Sequence, residues 1–217
     1  VIAVEAVTGV DRATLRPDLY GGDMTVDIDE IDAARAQEYT LIATLLMRAP
    51  DAKLLSRLST LRGDASPLGM AHLALATAAE RTRPERIQRE FFDLFIGVGR
   101  GELMPYGSYY LTGFLHERPL ARLREDLTTL GIARVDTVHE PEDHVGILCE
   151  IMAGLAGGHL PAPPQSDRMI FQKHMASWVG RFFADLENAE AADFYRAVGA
   201  VGRVFMDIES EAFDLSA

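Results

Sequence analysis

Residues Thr137–Leu155 read TVHEPEDHVGILCEIMAGL, a polar lead that runs without a break into an apolar stretch. Pro141 suits the first position of a helix, where its missing N–H costs nothing. Glu142 and Asp143 would then occupy the first turn, where carboxylates meet the positive end of the helix dipole and gain roughly 0.3–1 kcal/mol each. Steps of four, three and four carry His144 to Leu148, Ile151 and Leu155, so the histidine heads an apolar stripe facing inward or into a groove. A buried imidazole needs a hydrogen-bond partner, and taken alone His144 reads as a core histidine that has one. Cys149 falls beside Val145 and Met152 on the same helix and reads as an inert core thiol.

The same helical period recurs outward along the chain. Ile31–Arg48 sets Tyr39, Ile42, Leu45 and Leu46 on one face, and Pro50–Gly63 brackets Leu54, Leu55, Leu58 and Leu61. Ser66 and Pro67 supply an N-cap and a first helical position. A further helix is expected from Pro84 to Ile96, and the glycines and proline of GVGRGELMPYG stop it. SYYLTGFL and PLARLREDLTTLG then give a short and a longer helix, the second ending at Gly131. GGHLPAPPQSD is a rigid, Pro-rich loop, followed by helices from about Asp167 to Leu186 and from about Ala189 to Phe213. Alternating strand patterns are almost absent. The expectation is an all-α fold: a poorly structured segment 1–26, then one globular domain of about eight to ten helices over 27–217, with hinges near 131–140 and 157–166.

Composition narrows the function. The chain has 217 residues, 48% of them hydrophobic, enough for a sizeable core without disulfides or metals. One cysteine excludes a disulfide framework and suits a reducing compartment. Val1–Gly22 lacks a basic region followed by an apolar run, so no export signal is read, and no segment approaches about 18 uncharged apolar residues. A net charge of −12 repels phosphate backbones. The densest cations, Arg81, Arg83, Arg86 and Arg89, interleave with Glu80, Glu85 and Glu90. Nucleic acid is therefore not an expected partner. A basic peptide is a more natural one, although solubility alone explains most acidic surfaces.

No motif offers a seat for catalysis. His174 shares a helix face with Phe171, Met175, Trp178 and Phe182, but neither it nor His144 belongs to a His-Glu-x-x-His pair, so no metal is expected. GVGRG lacks the Lys-Ser/Thr of a phosphate-binding loop and follows no strand. Ser108 and Ser177 lack the Gly-x-Ser-x-Gly elbow. Phe91, Leu94 and Phe95 lie on one side of the helix entering the glycine break, and Tyr106, Tyr109 and Tyr110 follow it with hydroxyls that ask for partners.

Three segments in this order and at these separations carry a resemblance: LFIGVGRGELMPYGSYYLTGFL, EPEDHVGILCEIMAGL and FQKHMASWVGRFFADL. With ARAQEYTLIATLLMRAPDAKLLSRL ahead of them, the sequence resembles the TorD-like family of redox-enzyme maturation chaperones (TorD, DmsD and NarJ type) from about Ile31 to Leu186 and beyond. The resemblance implies an all-helical cytoplasmic chaperone that is not an enzyme and carries no cofactor. Its partner would be a molybdoenzyme catalytic subunit and the twin-arginine signal peptide of that subunit, held back from export until cofactor is inserted. Loop composition leans toward a formate-dehydrogenase-type client. By motif, the peptide-binding residues would be Phe91, Leu94, Phe95, Pro105, Tyr106, Pro141, Asp143 and His144. Aromatic groups flanking the glycine break would supply an apolar groove, and Asp143 a charge that guanidinium groups recognise. The family's glycine-proline-glycine reads Gly97-Val98-Gly99 here, and its proline before the late tryptophan is Ser177. A homodimer swapped across either hinge is a further expectation. Two other readings remain: a helical hydrolase using His144 with Asp143 or Glu142, and a helical nucleic-acid-binding regulator.

Overall fold

The computed structural model describes residues 30–133 and 140–215. The expectation for residues 1–26 and most of the hinge at 131–140 lie outside the described residues. Ten α-helices make up the described chain, and its β structure is one isolated bridge, Tyr106 to His144.

Helix α1, Glu30–Met47, runs through the centre with Tyr39, Leu41, Ile42, Leu45 and Leu46 buried. Helix α2, Ala52–Leu58, is opened by Asp51, whose side chain accepts from Leu54 N at 2.8 Å, and it ends short of Gly63, where the Ser59 and Thr60 hydroxyls donate to Ser56 O and Arg57 O. Helix α3, Pro67–Arg81, is capped as expected by Ser66, whose Oγ accepts from Gly69 N. Helix α4, Pro84–Phe91, continues as a π-helical turn over Phe92–Ile96, and Gly97 at φ 61° closes it with N–H donated to Phe92 O. Helix α5 is Gly107–Thr112 and ends at left-handed Gly113; α6 is Arg118–Thr129. Helix α7 is Val145–Ala156.

The single helix expected over 167–186 is two. Helix α8, Ser166–Ile170, passes into a π-helical turn at Phe171–Met175, and α9, Val179–Asn188, starts afresh. The cause is Trp178, whose indole Nε1 donates back to His174 O at 2.6 Å while its ring fills space against Gly107. Helix α10, Phe194–Leu215, closes the fold.

Packing is most extensive between α1 and α7, α9 and α10, and α3 and α10, around one continuous apolar core. The close approach of α9 and α10 needs Gly202, where any Cβ would overlap the Phe183 ring. Two buried acids hold α10 at its ends. Glu90 accepts backbone N–H groups from Asp193, Phe194 and Tyr195, and Glu209 receives Arg35 Nε and Nη2 at 2.8 Å together with Tyr39 OH. Among the described residues no helix is long and apolar enough to cross a membrane.

Candidate functional site

The polar lead into α7 does not begin that helix at Pro141. His144 is the N-cap: its backbone is extended, and its Nδ1 accepts from Gly146 N at 3.0 Å. Residues 141–144 turn instead, with His144 N donated to Pro141 O. The first-turn dipole explanation for Glu142 and Asp143 therefore fails. The backbone groups needed for an earlier start pair with the segment after the glycine break. Gly107 N donates to Asp143 O at 2.9 Å, Val145 N to Pro105 O at 2.8 Å, and Tyr106 pairs with His144.

Side chains reinforce this seam. Asp143, 4% exposed, accepts Ser108 N on Oδ2 at 2.7 Å and so caps α5 from across the chain. Tyr106 OH donates to Glu140 at 2.6 Å, and the Tyr106 ring meets the His144 imidazole edge-on at 5.2 Å. Burial, then the hydrogen bond to Glu140, pushes the Tyr106 phenol above its ordinary range. Arg124 Nε donates to Glu142 at 2.8 Å. Burial drives the His144 pKa down to about 4 against the weaker pull of Glu140 and Asp143, so the ring is neutral near pH 7 and acts as an acceptor. His144 is thus a satisfied buried histidine.

Two buried polar atoms at the seam have no hydrogen-bond partner: Ser108 Oγ and Asp143 Oδ1. Such atoms normally find one. Asp143 forms part of the wall of an open cleft of about 410 Å³. Gly107 and Leu111 of α5 and its first turn, Leu123 and Asp126 of α6, and Lys173 and His174 of the second π-helical turn also line it. Across the cleft Asp126 draws Lys173 Nζ to 3.2 Å and His174 Nε2 to 2.8 Å. Burial pushes the Asp126 carboxyl up, but these two partners outweigh it and hold the carboxyl below its usual range.

The sequence-expected residues fall into two groups. Pro105, Tyr106, Pro141, Asp143 and His144 come together in the seam. Phe91 and Phe95 instead pack edge-on at 5.1 Å and both meet Tyr195 of α10. Leu94 is fully buried, so it shapes the core beneath the glycine break rather than offering a surface. The Asp143–His144 pair of the hydrolase reading does not form. Asp143 engages Ser108 N rather than the imidazole, and the ring's Nδ1 is occupied by Gly146 N. Cys149 is fully buried, and burial pushes its thiol well up, which keeps it inert. Sequence reasoning missed Ser108, Leu111 and Asp126. Only three-dimensional contact reveals the first and last, whereas Leu111 lies in SYYLTGFL, a stretch that reads simply as a short helix.

Comparison with known proteins identifies the family of the chain. The family model described as nitrate reductase delta subunit matches residues 62–184. Chaperone protein TorD of Vibrio cholerae serotype O1 is 26% identical over 134 residues, 58% of this chain and 61% of that protein. A Haemophilus influenzae protein named a probable Tat proofreading chaperone, DmsD, is 29% identical over 129 residues, 58% of this chain and 62% of that protein. The chain thus spans under two thirds of the length of these relatives. A crystal structure of an Archaeoglobus fulgidus protein assigned to redox enzyme maturation superposes with a TM-score of 0.54 over 88% of this chain and 99% of that one, at 19% identity. At that identity the likeness shows a shared fold.

Proposed function

The chain belongs to the nitrate reductase delta subunit family, and from that premise we propose that it is a maturation chaperone for a molybdenum-cofactor oxidoreductase. It acts by binding, without turnover. Its client is the catalytic subunit of that enzyme, recognised in part through a twin-arginine signal peptide, in the cytoplasm and before export. A formate-dehydrogenase-type subunit is the client class to try first.

One observation carries this reading. The segment after the glycine break and the Glu140–His144 segment are stitched into a single seam, and beside it a buried carboxylate oxygen, Asp143 Oδ1, has no partner in the wall of an open cleft. An arginine-bearing peptide lying in that cleft would offset the Asp143 charge, since guanidinium groups pair strongly with carboxylates. Tyr106, Pro141 and His144 would border the bound peptide, Pro105 and Leu94 would support it from below, and the Phe91–Phe95 pair would shape the approach from the glycine break. The fold's acidic balance, −12 overall, favours a basic segment over nucleic acid.

The test is co-purification of the tagged chain from its own host, followed by identification of what accompanies it. The reading expects a molybdoenzyme catalytic subunit whose capture is lost when its leader is deleted. Capture of unrelated proteins alone, or measurable turnover by the purified chain, would refute it.

A further inference from the structure

The chain after Ser108 offers a surface that the seam does not use. Leu111 is 44% exposed, and past the left-handed Gly113 Phe114 and Leu115 are 69% and 36% exposed. Large apolar side chains exposed close together in one turn are the kind of patch that marks interaction sites. This turn is also ordered: Thr112 Oγ1 donates to Ser108 O at 2.8 Å and receives Phe114 N at 3.3 Å. Leu111 belongs both to this apolar shelf and to the lining of the 410 Å³ cleft, which continues it past Pro119 and Leu123.

The cleft's charges state what could enter. Lys173 and His174 are engaged with Asp126, which leaves two carboxylates, Glu125 and Asp143, against one cation, Arg122, among the remaining charged lining residues. Asp143 is 96% buried by its 4% exposure, and its Oδ1 has no donor; Ser108 Oγ, adjacent along the chain to the lining residue Gly107, also lacks one. A second carboxylate would add repulsion there. A cationic group in the cleft would face the Asp143 carboxylate in its wall, and its aliphatic stem suits Leu111 and Leu123.

We propose that the Leu111–Leu115 turn and the cleft beside it form one docking surface, on which an apolar client segment lies along the turn while its neighbouring cationic side chain enters toward Asp143 and Ser108. The inference rests on the chaperone reading and adds a wall, from α5 and α6, that the hallmark residues do not include.

Calorimetric titration of the full chain with a synthetic peptide of two arginines followed by an apolar leucine-alanine helix tests it. Phe114→Ser, alone and with Leu111→Ser, should weaken binding, the pair by about tenfold or more, as expected for two apolar anchors of an interface. Met70→Ser, which removes a 56%-exposed apolar side chain on α3, should leave affinity unchanged. Replacing both peptide arginines by glutamate should abolish binding. Wild-type affinity in Phe114→Ser and in the double variant would overturn the docking surface while leaving the chaperone reading intact. If the wild-type chain binds neither the peptide nor a client subunit, the chaperone reading itself falls and this inference with it.

Discussion

Replacing Asp143 separates two roles of one carboxylate. Its Oδ2 accepts the Ser108 N–H at 2.7 Å, and Ser108 is 1% exposed, so no solvent stands ready to replace the acceptor. Asp143→Ala removes a charge-assisted hydrogen bond and strands a buried donor, a loss of about 2–3 kcal/mol. Asp143→Asn keeps an acceptor for Ser108 and should cost under about 1 kcal/mol. The consequence reaches Trp178, because a Cβ on Gly107 would lie only 3.2 Å from its indole. Release of α5 in the alanine variant should therefore uncover the one tryptophan of the chain and shift its emission to longer wavelength before unfolding begins. Urea denaturation followed by tryptophan emission reads both effects. An alanine variant within about 0.5 kcal/mol of wild type, with unchanged native emission, would refute the cap, since that is the range of changes away from any structural feature.

Three further outcomes are expected. Below pH 6.5 stability should fall, because the folded His144 pKa of about 4 lies beneath its unfolded value: the contribution is complete above 6.5 and disappears as pH drops through 4, about 3 kcal/mol in all. His144→Asn, which keeps a capping acceptor that does not titrate, should flatten that slope in denaturation curves taken at pH 7.5 and 4.5. Arg35→Met should cost about 3–5 kcal/mol by leaving Glu209, 1% exposed, without its cation, and adding Glu209→Gln should recover much of the loss in thermal denaturation. Gly202→Ala should destabilise by about 1–3 kcal/mol or more through overlap with Phe183, read as a lower denaturation midpoint with an unchanged slope.

The helices were legible where local chemistry sets them. Ser66 and Pro67 start α3 as their types dictate, and the apolar period of α1 survives in its buried face. Misreadings came where a long-range partner outweighs local preference. Pro141 could open a helix, but pairing of Tyr106 with His144 and of Gly107 with Asp143 takes up the backbone, and α7 begins four residues later, at Val145. Phe171 to Phe182 looked like one helix because every third or fourth residue is apolar. A π-helical turn and a broken turn bury the same residues without helical continuity. The site was half legible. The motif residues from Pro105 to His144 meet in the seam, whereas Phe91 and Phe95 belong to a cluster with Tyr195 that no local pattern could announce.

Hydrogen–deuterium exchange of the chain, alone and with its client's leader peptide bound, tests most directly whether the seam and its cleft are where a client is held. Slowed exchange concentrated in residues 105–115 and 140–146 is the predicted result. Protection confined to α2 and α3, with those two segments exchanging as in the free chain, would contradict it.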